Sequence, residues 1–161
     1  MAIRQKITPY LWFDGTAEEA ARFYVSIFPN SRIVAVSNYP EAGPGEPGTV
    51  MVAVFELDGQ TFGAINGGTT FKLSEATSFL IDCKTQAEID HYSSRLLEGG
   101  GIEQPCGWLK DRFGLSWQVN SQELVEKVHT SGDTAAIARV MAAMMTMKKI
   151  DLAALERAYA G

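Results

Sequence analysis

Thr77-Ser78-Phe79-Leu80-Ile81-Asp82-Cys83 runs almost directly into Thr85-Gln86-Ala87-Glu88, and this junction decides the fold. The first stretch reads as a strand. The second is a capping box, in which the Thr85 hydroxyl holds the Glu88 amide while the Glu88 side chain reaches back. The helix it opens carries Ile89, Tyr92, Leu96 and Leu97 on one face and is closed by Gly99-Gly100-Gly101. Upstream the plan occurs once already. Ile7 to Phe13 reads as a strand, and Thr16-Ala17-Glu18-Glu19 is a first capping box. Its helix has Ala20, Phe23, Tyr24, Ile27 and Phe28 at helical spacing, and Pro29 stops it. Ser31 to Tyr39 reads as a strand, and Pro40 to Gly48, with three Pro and three Gly, as a loop. Thr49 to Leu57 and Gln60 to Ile65 flank Asp58-Gly59, the signature of a tight hairpin. In the second half Gly107 to Asp111, a turn at Arg112-Phe113-Gly114 and the strand Leu115 to Asn120 take the corresponding places. Strand, capped helix and strands therefore occur twice, a structural duplication. Beyond it Ser121 is placed to cap a helix over Gln122 to Val128, Asp133 one through Lys149, and Asp151 a last one through Ala160.

The bulk properties agree with a globular protein. Of 161 residues, 46% are hydrophobic and 20% charged, enough for a real core. A net charge of -5 lacks the basic footprint that phosphate backbones require, which argues against nucleic acid as a partner. No apolar run approaches the roughly 20 residues needed to span a bilayer, so no membrane partner is expected. Met1-Ala2-Ile3-Arg4-Gln5-Lys6 has no apolar signal core behind it, and two cysteines, Cys83 and Cys106, make no secreted disulfide framework. The cytoplasm is the expected compartment.

Three segments carry a closer likeness: Glu19-Ala20-Ala21-Arg22-Phe23-Tyr24, the run from Cys106 through Gly107-Trp108-Leu109-Lys110-Asp111 to Gln118, and Met147-Lys148-Lys149-Ile150-Asp151. With the repeated plan, they resemble the PhnB-like branch of the glyoxalase/bleomycin-resistance/dioxygenase (vicinal oxygen chelate) superfamily, a branch often labelled demethylubiquinone methyltransferase. The resemblance implies an α+β fold: paired βαβββ modules forming a curved mixed sheet around a cup, with extra C-terminal helices. The modules would span residues 1–72 and 73–120, followed by a helical tail over 121–161, in one compact domain.

The superfamily's metal-using members draw ligands from four strand positions, which fall here at Thr8, Gly63, Ser78 and Gln118. Thr, Ser and Gly are inadequate ligands for zinc, iron or nickel, and a single glutamine amide is not a site. His91 and His129 lie on helices and read as solvated surface residues. No metal and no cofactor are expected.

Strand alternation sorts the lining. Thr8, Tyr10 and Trp12 would face the cup, with Ile7, Leu11 and Phe13 under the first helix. Ser78, Leu80 and Asp82 oppose Phe79, Ile81 and Cys83, and Ser116, Gln118 and Asn120 oppose Leu115, Trp117 and Val119. The candidate ligand-binding cup is thus Thr8, Tyr10, Trp12, Ser78, Leu80, Trp108, Arg112 and Gln118. Such a lining suits a small, partly apolar ligand with a few polar atoms; plain core packing of Tyr10 and Trp12 is the equal alternative. Trp108 and Arg112 have a functional reading, stacking and anion holding, and a plainer one, an exposed hairpin with an Asp111–Arg112 turn anchored by Trp108. The plainer one is narrowly preferred. Cys106 has only Lys110 nearby in sequence as an activating cation, so a structural thiol is the better reading. Met141, Met144, Met145 and Met147 read as lining or interface residues.

Four functions stay open: a small-molecule binding protein or metal-independent enzyme on this fold, which the residues favour; a metal-dependent lyase, transferase or dioxygenase; a quinone methyltransferase, for which no Gly-rich nucleotide turn is present; and an interaction domain. The expected partners are a small-molecule ligand and a second copy of the chain. The dimer follows because Val140, Met141, Met144, Met145, Met147, Ile150, Leu152, Leu155 and Tyr159 exceed what one helix face needs.

Overall fold

A computed structural model describes residues 5–161. The described chain has α+β architecture, two four-stranded mixed sheets with five α-helices, and it divides into two compact units at Leu73/Ser74. No helix among the described residues is long and apolar enough to cross a membrane.

In the first unit β1 (Tyr10–Phe13), α1 (Ala17–Val25), β2 (Arg32–Asn38), β3 (Val50–Leu57) and β4 (Gln60–Asn66) follow in order. The sheet order is β1-β4-β3-β2, with β1 parallel to β4 and the other pairs antiparallel. Asp58 and Gly59 both take positive φ, 46° and 78°, which matches the twist of a tight hairpin between β3 and β4. Leu11, Phe13, Ala53, Phe55, Leu57, Phe62 and Ala64 are buried with Ala20, Phe23 and Tyr24 of the helix, and aromatic stacking runs from Tyr24 through Phe55 to Phe62. Ile7 does not join this core. Pairing becomes regular only at Tyr10, and Ile7 lies outside the strand at 83% exposure. The first capping box also does not form at its threonine, because the Thr16 side chain makes no capping bond. The Asn66 Oδ1 at the end of β4 instead accepts the Ala17 N–H at 2.9 Å, so a tertiary contact serves the orphan donor.

The second unit repeats the plan: β5 (Ser78–Asp82), α2 (Gln86–Leu97), β6 (Ile102–Glu103), β7 (Trp108–Lys110) and β8 (Ser116–Asn120), in the order β5-β8-β7-β6 with β5 parallel to β8. Here the capping box is complete, with Thr85 and Glu88 bonded reciprocally. The tail forms α3 (Gln122–Thr130), α4 (Thr134–Met144) and α5 (Leu152–Ala160), capped by the side chains of Ser121, Asp133 and Asp151. The helix opened by Asp133 ends at Met144, short of Lys149, because residues 145–151 dock back onto the unit. The Cys106 N–H donates to Met147 O at 2.9 Å and the Gly107 N–H to Lys148 O at 2.7 Å. The Gln86 amide donates to Ile150 O and accepts from the Leu152 N–H, both at 2.9 Å. Lys149 pairs with Asp90. The Met147 to Asp151 motif is thus a docking strip, and Ile150 is fully buried.

In the Asp111–Arg112 turn only Arg112 is exposed. Asp111 is 3% exposed, and its carboxylate accepts the N–H groups of Phe113 (2.8 Å), Leu115 (3.1 Å) and the Trp117 indole (2.9 Å). It fixes the β7–β8 turn and seats Trp117 beneath α2. Asp111→Ala would strand these donors and is expected to cost about 3 kcal/mol or more, read by urea denaturation. Asp111→Asn should retain only part of that loss, because its amide would turn a donor toward the indole N–H.

Candidate functional site

Along β8, Leu115, Trp117 and Val119 are buried on the α2 side, so Gln118 and Asn120 belong to the opposite face. Trp108 is the cross-strand partner of Gln118 and shares that face. Helices α3 and α4 arch over it. Between sheet and helices lies a cleft of about 200 Å³. Its floor is Cys106, Trp108, Gln118 and Asn120; Leu124, Val125, Val128 and His129 of α3 and Val140, Met141 and Met144 of α4 form its roof. The Gln118 Nε2 donates to Ser78 Oγ at 2.8 Å, and Asn120 Oδ1 accepts the Ser121 N–H at 2.8 Å, so both amides are oriented by their neighbours.

Of the sequence candidates, Trp108 and Gln118 line this cleft, with Ser78 bonded to Gln118 just beside it. Leu80 shares their face but lies outside the cleft, 40% exposed. Arg112 stacks on the Phe113 ring at 4.8 Å and packs against Gly99 at the end of α2, and it is not among the lining residues. In the first unit Thr8 precedes β1 and is half-buried. Tyr10 and Trp12 occupy the sheet face opposite the helix. The rings lie flat over glycines: a Cβ at Gly63 would meet the Tyr10 ring at 2.4 Å, and one at Gly67 the Trp12 indole at 2.0 Å. Trp12 also donates to Gly68 O at 2.9 Å and meets Phe71 edge-on at 5.0 Å.

This geometry bears on the superfamily's metal positions. At Gly63 there is no donor, and the Tyr10 ring takes the space a side chain would need. Ser78 Oγ is engaged by Gln118. Among the described residues no three His, Cys, Asp or Glu side chains come together in a metal-holding group. The donor set does not fit a zinc, iron or nickel centre.

Leu124, Val125, Val128, His129 and Val140 line the cleft without having been sequence candidates, and Asn120 had been sorted onto the Gln118 face but not named to the cup. His129, read as a surface residue, is exposed and yet lines the cleft. The spacing of Leu124 with Val128 and of Val125 with His129, one turn apart, was the available signal. Cys106 also faces the cleft, with its Sγ 3.6 Å from Met145 Sδ. Lys110 is not its activating cation, because Lys110 Nζ bonds Glu75 at 2.7 Å. That hydrogen bond, helped by the backbone of Glu75 and by Gln104, holds the Glu75 carboxyl down at about 2. Burial, with Glu88 and Asp82 nearby, pushes the Cys83 thiol up to about 12. Cys83 should therefore be alkylated at pH 8 roughly a thousandfold more slowly than an ordinary thiol, while Cys106 reacts. Peptide mapping after iodoacetamide treatment checks this, and equal labelling would contradict it.

Residues 5–120 match the model of the family described as 3-demethylubiquinone-9 3-methyltransferase. A PhnB protein of Bacillus cereus, described in the same words, is 40% identical with a TM-score of 0.66, the match covering 73% of this chain and 99% of that one. A Pseudomonas aeruginosa protein is 22% identical at a TM-score of 0.61, covering 73% of this chain and 98% of its own. The fosfomycin resistance protein FosX of Mesorhizobium loti shares the fold at 14% identity and a TM-score of 0.57, covering 80% and 99%. Among curated proteins none matches the chain.

Proposed function

We propose that this chain, which belongs to the PhnB-like family described as 3-demethylubiquinone-9 3-methyltransferase, is a small-molecule binding protein or metal-independent enzyme on a glyoxalase-type fold. The observation that carries the reading is the cleft of the second unit. There an indole, two oriented amides and a thiol share a small, mostly apolar space with a methionine-rich roof. Such a mixture of apolar wall and few convergent polar groups suits a compact organic ligand. Beyond the family's description nothing assigns methyltransferase activity. The only parallel strand pairs in the described sheets are β1–β4 and β5–β8, which is not the doubly wound arrangement that cradles a nucleotide-like cofactor.

The test is a thermal-shift screen of small aromatic and quinone-like compounds, followed by titration of any hit. Trp108→Ala should weaken a hit by about 1–3 kcal/mol, the range for losing a buried aromatic contact. Unchanged affinity would place the ligand elsewhere. Trp12→Ala, measured alongside, asks whether the sheet face carrying Tyr10 and Trp12 contributes as well.

The reading also holds that no catalytic metal is used. Elemental analysis of purified protein should find well below one zinc, nickel or iron per chain. A stoichiometric metal lost on Gln118→Ala would favour the metal-dependent alternative.

A cytoplasmic homodimer completes the proposal. Val140, Ile150 and Leu155 cover the chain's own unit, whereas Met141 and Met145 stay 47% and 64% exposed. Two-fold pairing is the commonest way to cover such residues. Light scattering at micromolar concentration should give twice the chain mass, falling to one on Met145→Asp. A monomer mass for the unmodified protein would refute the dimer.

A further inference from the structure

We propose that the segment beyond residue 120 selects the ligand of the cleft, and that the ligand is an uncharged ring with a carboxamide- or lactam-like edge. This rests on the cleft being a ligand site, as argued above. The match to the family model ends at residue 120, yet seven of the eleven lining residues lie beyond it, on α3 and α4. Most of the wall is therefore built from sequence outside the shared modules.

The roof is fastened, not draped. Cys106 and Gly107 turn both amides onto Met147 O and Lys148 O, and the Gln86 amide clasps the backbone of Ile150 and Leu152. Gly107 is required there, since a Cβ would come within 2.7 Å of Val119 O and 2.8 Å of Ile150 Cγ1. A fastened roof means a cleft that exists before the ligand arrives, which lowers the ordering cost of binding.

The chemistry of the lining names the ligand class. Among the described residues that line the cleft there is no Asp, Glu, Lys or Arg. The one basic group in the lining is His129, exposed near the end of α3, so a carboxylate or ammonium on the floor would lose hydration with no permanently charged side chain to replace it. The volume, about 200 Å³, suits one ring or a small pair, since a cavity of roughly 150 Å³ already takes benzene. The two floor amides are each half committed. Gln118 spends an N–H on Ser78 Oγ, and Asn120 spends its Oδ1 on the Ser121 N–H. Gln118 Oε1 and Asn120 Nδ2 are left to meet a ligand, one acceptor and one donor two residues apart along β8. A carboxamide or lactam edge supplies an N–H for the one and a C=O for the other.

Benzamide and benzoate are the probes: the same ring and nearly the same shape, one neutral and one charged. The readout is the rate at which iodoacetamide alkylates Cys106, a residue of the cleft floor, followed by peptide mass. Benzamide should slow the reaction in a saturable way, and benzoate should need about tenfold more for the same effect. Met144→Trp and Met141→Trp, which intrude from the roof, should each abolish the protection by benzamide; Met141 is half exposed, so that variant folds even if Met144→Trp does not. Equal protection by benzoate would overturn the ligand class. Protection lost in Trp108→Ala but kept in both roof variants would overturn selection by the tail while leaving the cleft a binding site. Failure of both probes on the unmodified protein would overturn the inference as a whole, and a hit in the wider compound screen would still uphold the proposed function.

Discussion

Two consecutive residues with positive φ, Cys106 at 62° and Gly107 at 79°, hold the second unit to its tail. The left-handed region costs a side-chain-bearing residue roughly 1–2 kcal/mol, so Cys106 occupies it only because something repays the strain. The repayment is the pair of hydrogen bonds to Met147 O and Lys148 O and the burial of Ile150 against the bare Cα of Gly107. The chain then leaves this turn directly into β7, which sets Trp108 opposite Gln118. One backbone irregularity thus docks the tail, aims the cysteine and places the tryptophan.

The two units solve one topological problem with different side chains. In both, the first strand pairs in parallel with the last, leaving one sheet face under a helix and one turned away from it. On the first unit's face, glycines at 63 and 67 let the Tyr10 and Trp12 rings lie against the backbone. On the second unit's face, amide and hydroxyl groups bond one another and are partly roofed by α3 and α4. Among the described residues neither face brings together the imidazole and carboxylate set that a transition metal needs. The first has its hairpin position filled by a ring, and the second has its strand position tied up in a serine–glutamine bond. The common fold therefore carries no reaction with it, and any function belongs to the side chains each unit has placed there.

Much of this was legible in the chain itself. Periodicity, the Thr85–Glu88 box, the Asp58-Gly59 hairpin and the aspartate and serine caps of the tail are local signals, decided by residues within one turn of each other. Strand alternation likewise put Ser78, Gln118 and Trp12 on the faces away from α1 and α2, because the period of two is a property of the backbone. Where local logic erred, a distant group had intervened. Asn66, 49 residues beyond Ala17, accepts the Ala17 N–H and so caps the helix that Thr16 was expected to cap. Asp111 reads as a turn residue by neighbourhood, and is buried because the Trp117 indole and two turn amides converge on its carboxylate.

What the sequence by itself determined was the repeated βαβββ plan and the capped helices of the tail, since each depends on residue type and short spacing. Only the tertiary structure decided that the tail arches over the second sheet, because that follows from hydrogen bonds between residues 106–107 and 147–148, some forty positions apart. The cleft is a consequence of that docking. Cys106, His129 and Asn120 line one cleft not through any pattern linking them in the chain, but because long-range backbone bonds close the fold around the space between them.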